Sequence, residues 1–182
     1  MVSGGHIMAD YRDRASQELR CLRSGPSPDE QALGIIVEFI ARCGDDAQDV
    51  IDRSQSVLGT VVQASLGIWP TNDQWRRMLP RWFLECCAKE YTTEEAESRL
   101  KWWRALSPED QVQVDREARW TLNNWLYHFQ PDNRHWFWWD ARIMSQDTAS
   151  VTVVVDGCPF PWGALSWLLR ASGAKEVLPL ND

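Results

Sequence analysis

For its first two thirds the chain sets apolar residues at helical spacing between short polar stretches, and after Pro131 the period drops to about two. A first helix is expected from about Asp10 to Arg23, where Ser24-Gly25-Pro26 stops it. Ser27-Pro28-Asp29-Glu30 then supplies an N-cap, a proline for the first helical position and a capping-box glutamate. Leu33, Ile36, Val37 and Ile40 follow at the spacing of a buried helical face, so a second helix is expected to run to Gly44. Asp45 or Asp46 caps a third, which carries Val50, Ile51, Val57, Leu58, Val61 and Val62.

Further caps continue the series. Thr71-Asn72-Asp73-Gln74 opens a short helix that Pro80 interrupts before Arg81 to Lys89. Thr92-Thr93-Glu94-Glu95 caps the next. Ser107-Pro108-Glu109-Asp110 opens a long one, with Ala118, Leu122, Trp125, Leu126 and Phe129 on one face and Pro131 at its end. Beyond it, the aromatic segment His135 to Ile143 and the alternating Ser150 to Val155 are joined by a polar link and predict a β-hairpin. Trp162 to Ala171 reads as a final helix ended by Gly173, and Glu176-Val177-Leu178 as a short further strand. The expected architecture is α+β, mainly α: a helical bundle with a C-terminal antiparallel β-hairpin and a final helix. Residues 1–8 have the look of a cloning remnant, which leaves 9–182 as a single globular domain.

Composition adds limits on function. A chain of 182 residues with 44% hydrophobic and 25% charged residues has the size and balance of one ordinary domain. Its twelve tryptophans are the outlier, and rings of that size are expected to dominate the core. No apolar stretch approaches the roughly 20 residues of a membrane span. The start carries no signal-peptide pattern, and the five cysteines have no repeating spacing, so a reducing, cytoplasmic location is expected. A net charge of −7 argues against nucleic acid and anionic membrane as partners and for a basic protein.

Motifs of known chemistry are missing: there is no phosphate-binding glycine loop, no Gly-x-Ser-x-Gly elbow and no His-Glu-x-x-His. No cofactor is expected. His128, Asp132 and His135 have ligand-type side chains near a helix end, but a helix-end histidine, turn residues and the start of a strand account for them equally, and no metal site is assigned. Cys86-Cys87 reads as a pair of buried structural thiols, and Cys158 as a thiol ahead of a helix start. Glu94, Glu95 and Glu97 match a helix N-terminus, where acids complement the dipole.

Two features remain for recognition. Asp45, Asp46, Asp49 and Asp52 form an acidic run longer than capping requires. Trp136 and Trp138 share one strand face, while Phe137 and Trp139 share the other, so one face needs a cover from the C-terminal segment or a partner. The expectation is therefore a protein-binding module that masks a basic partner through Asp45, Asp46, Asp49, Asp52, Trp136 and Trp138, as a toxin-neutralising immunity protein would, rather than an enzyme. Two alternatives stand beside it. One is an enzyme assembled from distant residues, with His128, Asp132, His135 and Cys158 as first suspects; the other is a small-ligand binder with a tryptophan-lined pocket.

Overall fold

Where the pattern points to a second helix, the chain builds a strand. The computed structural model describes residues 4–180, and side chains from Tyr11 onward except at positions 112 and 115–117. Met1 to Ser3 and the side chain of His6, in the stretch assigned to a cloning remnant, lie outside the described residues. After α1 (Gly4–Ser24), Ser27 and Glu30 make only half of a capping box: the Ser27 N–H donates to Glu30 Oε2 at 3.2 Å, but the Glu30 N–H goes to the Ser27 backbone carbonyl at 2.9 Å, the bond of a turn. They close a single turn and no helix follows. Gly34 sits at φ +146°, and a Cβ there would meet the Val155 carbonyl oxygen at 2.5 Å. The β-branched Ile35, Ile36 and Val37 then start strand β1 (Ile35–Cys43), the geometry such side chains favour. Leu33 and Ile36, expected inside, are more than half exposed.

β1 is an inner strand of a four-stranded antiparallel sheet with β2 (Trp136–Ser145), β3 (Thr148–Val155) and β4 (Ala174–Pro179), in the order β2-β3-β1-β4. β2 and β3 pair through a tight turn, with Trp138 opposite Val153 and Ile143 opposite Ala149. They are half of a continuous sheet, and the expected bundle with a hairpin laid on it is not the architecture. The fold is mixed α+β, with eight α-helices among the described residues.

Phe39, Ala41, Val151, Val153 and Val155 lie on one buried sheet face. α2 (Ala47–Ser65) crosses that sheet, flanked by α1 along β2 and α8 (Gly163–Ala171) against β4. Aromatic residues tie the remaining helices on: Trp75 of α3 (Asn72–Met78), Phe83 of α4 (Arg81–Cys86) and Trp125 of α7 (Leu122–Tyr127) are fully buried. Trp125 also donates from its indole nitrogen to the Ala164 carbonyl at 3.0 Å.

The expected long helix after Ser107 is in fact two. α6 (Pro108–Glu117) stops at Ala118, and Thr121 caps α7 afresh. Between them the Arg119 guanidinium donates to the carbonyls of Glu85, Cys86 and Cys87, closing the C-terminal end of α4, and the Ala88 N–H donates to Trp120. This clamp sets off α5 (Thr93–Arg104) and α6 as a helical arm, and no residue of α5 is buried.

Candidate functional site

The acidic run lies where β1 hands the chain to α2. Asp46 is the N-cap: its Oδ1 accepts from the N–H groups of Gln48 at 2.9 Å and Asp49 at 3.1 Å, satisfying two donors the helix leaves open. Asp49 pairs with Arg53 at 2.9 Å, one turn on, and Asp52 accepts from the Gln48 amide at 2.7 Å. Asp45, Asp46, Asp49 and Asp52 are all exposed. The β2–β3 turn is fastened to the same place, with the Cys43 N–H donating to the Asp147 carbonyl and the Ala47 N–H to the Gln146 carbonyl.

That fastening adds a fifth carboxylate, which the sequence alone did not associate with the run. Hydrogen bonds from the Ser145 and Thr148 hydroxyls hold the Asp147 carboxyl below the usual range, so it is charged at neutral pH. Ile143 and Met144, just before the turn, are 43% and 64% exposed. Lys175, whose side chain runs past Gly44, flanks the cluster with a cation.

Trp136 and Trp138 are elsewhere and inside, each 1% exposed. Neither is open to solvent, and the exposed apolar residues next to Asp147 in the chain are Ile143 and Met144. The strand face opposite Trp138 is also closed. A register shift after Trp138 turns Trp139 toward Cys21, Val154 and Ala32, so the N-terminal segment, not the C-terminal one, covers it.

Beside these tryptophans lies an ion pair that sequence reasoning missed. Glu18 Oε1 accepts from the Arg134 guanidinium and from the Trp138 N–H, so α1 seals the margin of β2. Both side chains are almost completely buried, and the guanidinium lies over the rings of Phe129, Trp136 and Phe137 at 4.7, 4.9 and 5.1 Å. Glu18 Oε2 and Arg134 Nη1 have no hydrogen-bond partner among the described residues. Burial pushes the Glu18 carboxyl up, against the pull of Arg134 and the two hydrogen bonds. The signal was present: Tyr11, Ala15, Glu18 and Leu22 share one helical stripe, and a charge on a buried stripe needs a buried counter-charge.

The remaining suspects lie at the end of α7, in the turn after it and just ahead of β2, with Cys86 at the end of α4. His128 is half-buried against Trp120, with ring centroids 5.1 Å apart, and burial lowers its pKa, helped by the nearby His135. Asp132 and His135 are exposed, and among the described residues no three His, Cys, Asp or Glu side chains come together as metal ligands. Cys86 and Cys87 donate to the Ala171 and Phe83 carbonyls, and burial pushes the Cys87 thiol up to about 11, far from a reactive thiolate. Cys158 is exposed, and all five cysteines are unpaired. The cleft beside Glu18, Trp138 and Trp139 has about 10 Å³ of space, room for a single water at most. No helix among the described residues is long and apolar enough to cross a membrane. Compared with known proteins, the chain matches no family model, no curated protein and no solved structure.

Proposed function

We propose that the protein is a binding module that masks a basic protein partner at the end of the sheet where α2 begins. The observation that carries the reading is the joining of five exposed aspartates (Asp45, Asp46, Asp49, Asp52 and Asp147) to the exposed Ile143 and Met144 on a frame of backbone hydrogen bonds. Charge of one sign on a fixed frame speeds encounter with an opposite charge, and an apolar anchor beside it lengthens the lifetime of the complex. Arg53 and Lys175 offset part of the charge, so encounter depends on the whole cluster rather than on one carboxylate. Neutralisation of a bacterial toxin is one role of this kind, and five unpaired thiols suit a reducing cytoplasm.

The test is a triple change, D46N/D49N/D52N. Asparagine caps a helix as well as aspartate does, so the fold is kept while three charges go. With a partner captured by the intact protein, the variant's association rate should fall at least about tenfold at low salt, and the difference should shrink as salt is raised. Equal rates at every salt concentration would reduce the run to a solvated helix start.

A further inference from the structure

The arm carries a second surface, independent of the acidic end. α5 is 12 residues long, about 18 Å at the helical rise. Its charge is split: Glu94, Glu95 and Glu97 fall in the first half, and Arg99, Lys101 and Arg104 in the second. Dipole preference accounts for acids in the first turn and bases in the last. It does not account for the apolar surface left open on the same helix, where Trp102 is 48% exposed and Tyr91, just ahead of the helix, 43%.

Helical geometry sorts the residues into two faces. Ala96, Leu100 and Trp103 lie together; Trp103 is the least exposed residue of α5, its carbonyl accepts from Gln111 of α6 at 3.1 Å, and Leu100 on this side is 46% exposed. The opposite face is centred on the small Ser98, with Glu94 and Glu95 a turn before it and Lys101 and Trp102 a turn after. The Arg99 guanidinium lies over both rings, 5.5 Å from Tyr91 and 5.8 Å from Trp102. Tyr91, Glu94, Glu95, Ser98 and Arg99 line an open groove of about 400 Å³.

We propose that this face docks on the same face of a second copy, with the two α5 helices antiparallel about a two-fold axis near Ser98. A two-fold interface must be self-complementary, residue for residue, and the reversal of charge along α5 supplies that. Lys101 then faces Glu94 of the second copy, and Trp102 covers the groove beside Tyr91 and Glu95 of the second copy. Ser98 lets the helix axes approach. One helix pair buries less than the roughly 1,200 Å² of a standard interface, so the dimer forms and dissociates with concentration.

Sedimentation velocity on the full chain, from about 1 µM to about 1 mM, tests it in a range suited to such small interfaces. The wild type should move from monomer to dimer across the range. Each of W102A, E94K and K101E should weaken association roughly tenfold or more. An equimolar mixture of E94K and K101E should restore it, because each chain then meets opposite charge at both contacts. S98R is a steric check that should also keep the chains apart, and circular dichroism should show every variant folded, since all four positions are exposed. A wild type that stays monomeric to the highest concentration overturns the proposal. So does a dimer that W102A and S98R leave intact, or a charge-swapped mixture that associates no better than either variant alone.

Discussion

The margin of β2 and the α5–α6 arm are both seams between a helix and its surroundings, and they are built in opposite ways. Along β2 the helix α1 brings Tyr11, Ala15 and Leu22 into the core and takes a carboxylate in with them, and Tyr11 donates to Ser65 of α2 at 2.6 Å. Removal of this helix would uncover a backbone donor, a guanidinium and several aromatic rings at once. At its base the arm is held by Arg119, by the bond from Ala88 to Trp120 and by the Asn123 N–H donating to Glu90 Oε1 at 2.9 Å. Its apolar residues are shared between a short two-helix seam and open surface. The difference teaches where stability and recognition divide in this molecule: one seam is closed by burial, the other keeps its aromatic residues outside.

The largest expected contrast is in amide hydrogen exchange. Amides of β1 and β3, central and buried, should exchange only through global unfolding, while those of α5 should exchange through local opening at about 5 kcal/mol less. Equal protection in the two regions would erase the contrast.

Next is the ion pair. E18L alone or R134M alone should destabilise by about 3–5 kcal/mol, because each strands a buried charge, while the double variant should recover most of that loss. Additive losses in urea unfolding would show that the two side chains act separately. Glu18 also gives a pH dependence. Its folded pKa lies above the unfolded value, so the folded state binds the extra proton, and this group's contribution falls as pH rises from the ordinary carboxylate range, about 4, through the raised value. R134M removes the cation that pulls the pKa down, so the falling limb should move to higher pH. A limb left in place would deny the coupling.

The smallest effect should come from the arm. W102A should change the stability of the monomer by less than about 0.5 kcal/mol, as expected of an exposed side chain away from the core. A loss of several times that in thermal unfolding of the dilute protein would make Trp102 a packing residue and the arm less exposed than described.

Much of this was legible from spacing and caps. Asp46, Thr71, Thr92 and Ser107 all cap helices where the pattern placed them, and the switch of period after Pro131 marks the β2–β3 pair. The segment from Ser27 to Cys43 reads as a helix in sequence because its capping-box residues and an apolar spacing of three and four agree locally on a helix. A Gly34 backbone pressed against Val155 and the pairing of β1 with both β3 and β4 decide for a strand, and neither is visible in a local window. A helix at that place would leave a bundle with a hairpin, and a strand there completes a four-stranded sheet. The acidic run was legible as composition, whereas its union with Asp147, Ile143 and Met144 depends on the turn being bonded to the start of α2. The alternation along β2 leaves open which face is covered, and Trp136 and Trp138 are buried because that face joins the common core.

The most direct test of the binding account sets the two regions against each other. A partner captured by the wild-type protein should be offered, at low salt, to D46N/D49N/D52N and to W102A, with association followed by surface plasmon resonance. The account predicts an association rate at least about tenfold slower for the triple variant and an unchanged rate for W102A. A triple variant that binds as fast as the wild type would contradict it.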